Sequence, residues 1–94
     1  MNKYEAVIII DSKLSEEKSN EVINKFKDII NENGSVTNID DIGIKRLAYE
    51  VKRQKEGHYV VYEFEAESEF ISELQRLFRI TDEVLKFITI RKED

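Results

Sequence analysis

The sequence predicts an α+β fold in which four antiparallel strands form one sheet and two helices cover one of its faces. Three observations carry this. Runs rich in β-branched and aromatic residues alternate with runs of helical period, in the order β-α-β-β-α-β. Each β-α-β half requires a right-handed crossover, which puts both helices on the same side and the first and third strands in the middle. The chain has 94 residues, 40% of them hydrophobic, with five Phe and four Tyr, enough for one core but not two.

The first strand is read from Lys3 to Ile10, ended by Asp11-Ser12. Tyr4, Ala6, Ile8 and Ile10 point one way and Glu5, Val7 and Ile9 the other, so both faces carry apolar groups, as in a central strand. Ser15 then caps a helix with Glu16 and Glu17 in its first turn, where the helix dipole favours negative charge. Val22, Ile23, Phe26, Ile29 and Ile30 make its apolar stripe, and Asn33-Gly34 is expected to end it in a left-handed cap. A second strand runs from about Val36 to Val51, with a bulge or bend at Gly43. Residues 53–57 read as a polar hairpin loop in which Gly57 supplies a positive φ. The third strand covers His58 to Ala66. Ser68 is expected to cap a second helix with the stripe Phe70, Ile71, Leu74, Leu77 and Phe78, broken at Thr81-Asp82. Val84 to Arg91 forms the last strand, and Lys92-Glu93-Asp94 a short charged end. The whole chain, 1–94, is thus expected to be a single domain of the split β-α-β, or ferredoxin-like, arrangement.

Composition narrows the chemistry. Without cysteine there are no disulfides, thiolate metal sites or thiol nucleophiles, which fits a reducing cytoplasm. The apolar run from Ala6 to Ile10 is too short to cross a membrane, so no membrane role is expected. The one histidine, His58, has no Cys or second His to complete a metal or catalytic site, and reads as a sheet-surface side chain. Glu63, Glu65 and Glu67 share a strand face and are expected to repel one another. Asp40-Asp41 beside Gly43 lacks the spacing of a calcium loop and reads as a turn. No phosphate loop, nucleophile elbow or dinucleotide fingerprint is present. The expectation is a protein that binds rather than catalyses, with no catalytic residue, metal, cofactor or small-molecule substrate. Acylphosphatases share the topology, so fold alone does not decide this.

Two surfaces remain. On the face opposite the helices, Val7 and Ile9 are expected beside Tyr59 and Val61, with Ile88 or a neighbour added by the last strand. A contiguous apolar patch of this kind marks a binding surface for a partner protein or a second copy. The formal net charge is −5, which argues against a uniformly basic nucleic-acid binder. Yet cations gather at Lys45-Arg46, Lys52-Arg53-Lys55 and Arg91-Lys92, and Lys3, Lys45, Arg46, Lys86 and Arg91 fall on strands or near strand ends with Tyr4 and Tyr49 among them, while acids crowd 63–73. Such cations attract phosphate, and aromatic rings stack on bases. His58-Tyr59-Val60-Val61-Tyr62 lacks the start of an RNA-recognition signature, so shape and backbone recognition are expected over a base code.

Several segments occur together in a familiar order: Met1-Asn2-Lys3-Tyr4-Glu5, Gly43-Ile44-Lys45-Arg46-Leu47-Ala48-Tyr49-Glu50-Val51, Gly57-His58-Tyr59, Leu77-Phe78-Arg79-Ile80 and Asp82-Glu83-Val84. Together they resemble the ribosomal protein six family of the bacterial small subunit, over essentially the whole chain. The resemblance implies a structural role in the ribosome, with two partners: the central domain of small-subunit ribosomal RNA and small-subunit ribosomal protein eighteen. By motif match Lys3, Tyr4, Lys45, Arg46, Tyr49, Arg79 and Lys86 fall on basic and aromatic positions of the family, which leave open the division between RNA and partner; they are expected to face RNA, and the apolar set Val7, Ile9, Tyr59, Val61 and Ile88 the partner protein. Asn2, Thr81 and Leu85 stand where basic residues are common in that family, which implies weaker RNA binding alone and more reliance on the partner. The competing expectation is a regulatory module of the same topology that binds a small ligand or pairs with itself.

Overall fold

The computed structural model describes residues 1–92. Its elements are β1 (Asn2–Asp11), α1 (Glu16–Asn33), β2 (Gly34–Val51), β3 (Gln54–Ala66), α2 (Ser68–Ile80) and β4 (Val84–Lys92). They build one antiparallel sheet in the order β2-β3-β1-β4, with β1 and β3 central. This is the ferredoxin-like arrangement.

One face is sealed. Tyr4, Ala6, Ile8 and Ile10 of β1 and Val60, Tyr62, Phe64 and Ala66 of β3 pack against Val22, Ile23, Phe26 and Ile30 of α1 and Phe70, Leu74 and Phe78 of α2. Phe26 and Phe78 join the two helices, with ring centroids 4.7 Å apart. The Tyr62 hydroxyl donates to the carbonyl of Ile23 at 2.8 Å. That bond satisfies a polar tip which would be costly to bury alone. Burial pushes the Tyr62 phenol far above its ordinary pKa, and the nearby charge of Asp41 adds to the shift.

The helix starts follow different chemistry. Ser15 Oγ accepts from the Lys18 N–H at 3.1 Å, as a cap should. In α2 the cap position is Glu67, with no side-chain cap bond, and Ser68 is already helical.

Both glycines assigned to left-handed turns serve another purpose. Gly34 is extended at φ −176°, and a Cβ there would sit 2.1 Å from the carbonyl oxygen of Glu65. It is small because β2 crosses close to β3. The end of α1 is instead satisfied by asparagines: Asn33 Nδ2 donates to the Ile29 carbonyl at 2.9 Å, and Asn31 Oδ1 accepts from the Val36 N–H at 2.9 Å. Gly57 lies inside β3, where a Cβ would meet Ile9 Cγ2 at 2.2 Å and Leu47 Cδ2 at 3.3 Å. The hairpin turn is shorter than the sequence predicts. Lys52 and Arg53 turn the chain with φ of 49° and 65°, so Gln54, Glu56 and Gly57 pair in the ladder and Gln54 is buried.

Gly43 does mark a bulge. Its φ is +96°, and the β2–β3 register slips between Asp41 and Gly43. Asp40 and Asp41 sit in the strand opposite Val61 and Val60, not in a turn. In the β1–β4 ladder a slip between Ile9 and Ile10 of β1 leaves Leu85 unpaired in β4. The parity of β4 then puts Ile88 directly across from Val7.

Candidate functional site

The face of the sheet away from the helices forms the site. Its central row is Val61, Val7 and Ile88, directly opposite one another on β3, β1 and β4. The next row is Tyr59, Ile9 and Lys86. All five apolar residues nominated for the partner thus share one face. They differ in exposure. Ile88 is 51% exposed, and Ile90 beside it 46%. Ile9 is only 9% exposed, because Leu47 and Leu85 pack on it with Val51 and Tyr59 at the margin. It is floor rather than surface. A shallow groove of about 190 Å³ runs along Val7, Ile9, Tyr59, Lys86, Phe87 and Ile88.

The seven residues nominated for RNA are not brought together. Lys86 and Tyr49 meet: Lys86 Nζ donates to the Tyr49 hydroxyl at 2.6 Å and lies 4.9 Å from its ring centroid. Tyr49 is on the hairpin arm of β2 and β3, as are the exposed Lys45 and Arg46. Lys3 stands at the opposite end of the face, across from Glu65 and Lys92. Arg79 belongs to the helical layer, its guanidinium 5.9 Å from the Phe87 ring centroid. Tyr4 is a correction. Its ring is buried in the main core, stacked on Phe64 at 5.7 Å, so it is not exposed for stacking on a base. Its parity with Ala6 and Ile8 already pointed inward.

Sequence reasoning passed over two features of this face. Leu47 and Leu85 roof Ile9; Leu47 was visible within the Lys-Arg-Leu-Ala-Tyr segment, whereas Leu85 reaches the face only through the bulge. Lys92, expected in a charged end, is instead the last residue of β4. Its ammonium lies 2.8 Å from Glu63 Oε1 and 3.3 Å from Glu5 Oε1. The hydrogen bond to Lys92, then its positive charge, holds the Glu63 carboxyl below the ordinary carboxylate range. Bonds to Glu63 and Glu5 raise Lys92 in turn. Glu63 is therefore a paired acid rather than one member of a repelling row. Glu93 and Asp94 of the expected charged end lie outside the described residues.

On the other side of the sheet His58 Nε2 donates to Asp41 Oδ1 at 2.6 Å. Among the described residues no group of three His, Asp or Glu is placed to hold a metal ion, and no helix is long and apolar enough to cross a membrane.

The fold and this face define a domain of the ferredoxin-like class with one sheet face left open. Comparison with known proteins makes the assignment specific. A family model described as Ribosomal protein S6 matches residues 3–91, so the chain belongs to the ribosomal protein S6 family. Small ribosomal subunit protein bS6 of Alkaliphilus oremlandii is 43% identical over 93 residues, covering 99% of each chain. The bS6 protein of Clostridium botulinum strain Loch Maree is 45% identical over 94 residues, covering 99% of this chain and 100% of its own. The crystal structure of 30S ribosomal protein S6 from Thermotoga maritima superposes with a TM-score of 0.92 at 30% identity, covering 97% of this chain and 87% of that one. The chain is a ribosomal protein of the small subunit and not an enzyme.

Proposed function

We propose that this protein binds the central domain of small-subunit ribosomal RNA together with small-subunit ribosomal protein eighteen. The observation that carries the reading is a continuity. The apolar row Val7, Val61 and Ile88 runs into the Lys86–Tyr49 pair, at the foot of an arm bearing Lys45 and Arg46. Exposed apolar surface is satisfied by a protein, and cations at its margin by phosphate. Two ligands that meet along that margin bind together more tightly than either alone, because each orders surface the other uses.

The acidic net charge is compatible with this division. Lys45, Arg46, Lys52, Arg53 and Lys55 lie on the arm, where they outnumber Glu50 and Glu56, while Glu5, Glu63 and Glu65 lie at the other end of the open face. RNA affinity of the protein alone is expected to be weak and salt-sensitive, since each neutralised phosphate releases counterions. Changing Arg46 and Lys86 together to Ala should flatten the salt slope by about two phosphates' worth of counterions, at roughly 0.9 each. Filter binding to a central-domain RNA fragment, with and without the partner, measures this. Unchanged affinity at low salt would remove both residues from the RNA surface.

A further inference from the structure

The open face is electrically polar along its strands. One end has Lys86 and the arm, where Lys45, Arg46, Lys52, Arg53 and Lys55 outnumber Glu50 and Glu56. The other has Glu5, Glu63 and Glu65, with Asp40 directly across from Val61. Against these four carboxylates stand Lys3 and Lys92. The Lys92 side chain leaves edge strand β4 and crosses central strand β1 to reach Glu63 on β3, touching Glu5 on the way. It lies over the sheet at the acidic border of the Val7–Val61–Ile88 row. All three side chains keep solvent access: 43% for Lys92, 24% for Glu5 and 37% for Glu63. An exposed lysine–carboxylate contact of this kind is weak and readily exchanged.

Resting on the docking reading above, we propose that the partner protein covers this face with apolar side chains over Val7, Val61 and Ile88. It also places a basic side chain between Glu5 and Glu63, displacing the ammonium of Lys92. Charge complementarity selects this occupant. A phosphate backbone is repelled by the acidic end, and an uncharged segment would leave Lys92 trapped beneath it. A guanidinium suits the position best, because its planar fork donates to two carboxylates at once where the lysine ammonium is a point charge. The acidic end thereby orients the partner, and the basic end stays open to RNA. Lys92 is a resident counter-ion that keeps the acids paired until the partner arrives.

The test is calorimetric titration of the full-length protein with purified small-subunit ribosomal protein eighteen, without RNA, at two salt concentrations. The double variant Glu5→Gln, Glu63→Gln should bind about tenfold more weakly and with less salt dependence, since oppositely charged interface pairs govern both. Lys92→Met should bind about threefold more tightly, because a competing cation is gone. A gain of this kind cannot come from misfolding. Ile88→Lys should lose most binding and controls for the docking itself. Loss with Ile88→Lys but no change with the glutamine variant overturns the charge inference and leaves the docking face standing. No change with Ile88→Lys overturns both. Weaker binding by Lys92→Met overturns the displacement and makes Lys92 a contact. A homodimer seen by sedimentation that dissolves in the glutamine variant would assign the acids to a second copy and overturn the proposal.

Discussion

The two faces of the sheet are built from the same strands, yet one is covered by helices and the other is left open. In β1, Ala6, Ile8 and Ile10 are fully buried under two helices, while their neighbours Val7 and Glu5 keep partial exposure. The helix-covered face holds a continuous core joined by aromatic contacts among Phe26, Phe78 and Phe87. Among the described residues the open face has the small cluster of Ile9, Leu47 and Leu85, and beside it an uncovered apolar row. The contrast separates the residues that make the fold from those left to make contacts. Stability should reside in the first face, and recognition in the second.

The sharpest way to break that contrast is to substitute matched residues on the two sides. Phe78→Ala, at a fully buried site, should cost about 3–5 kcal/mol by lost burial and cavity formation. Ile88→Ala, at a half-exposed site, should cost under about 1 kcal/mol. Urea denaturation of both variants checks this. Equal losses would show that the open face carries structural weight.

A second, smaller effect concerns the close approaches. Gly34→Ala sets a Cβ against backbone, and Gly57→Ala sets one against Ile9 under the hairpin arm. Overpacking of this kind costs about 1–3 kcal/mol, and Gly34→Ala should be the worse because backbone yields less than a side chain. Thermal melts of the pair rank them. If Gly57→Ala is silent, Ile9 and Leu47 are more loosely packed than the geometry indicates.

The smallest effect is electrostatic. The Glu63 pKa is depressed in the folded state, so its pairing stabilises fully above the ordinary value of 4.5 and is lost as pH falls through the depressed one. Lys92 is raised, so its share is present below its ordinary 10.5 and is lost as pH climbs through the raised value. Between those limits the pair should be insensitive to pH. A carboxyl NMR titration should find Glu63 below the ordinary range in the native protein and back near it in Lys92→Met. The same titration point in both proteins would show that the bridge does not persist in solution.

Much of the fold was legible because its signals are local. Ser15 capped its helix as read, the stripes of α1 and α2 faced the core, and Gly43 marked a bulge. The open-face set was legible from parity in β1 and β3, since alternation needs no knowledge of the rest of the chain. Ser68 was misplaced by one position, a boundary that propensity does not resolve. Tyr4 was drawn outward first by its place among the strand cations and then by the family resemblance, against the parity that placed it inside. The RNA set scattered because a list of matching positions carries no distances: Arg79 and Lys86 lie near each other in sequence and in different layers.

By itself, then, the sequence determined the kinds of element, their order and the side of the sheet each central-strand residue takes. These depend on periodicity and side-chain chemistry within a few residues. Tertiary structure alone decided why Gly34 and Gly57 are glycines, that Leu85 slips onto the open face, and that Lys92 reaches across a whole strand to Glu63. Each of these rests on register and close approach between segments far apart in the chain, where a shift of one residue turns a side chain to the other face.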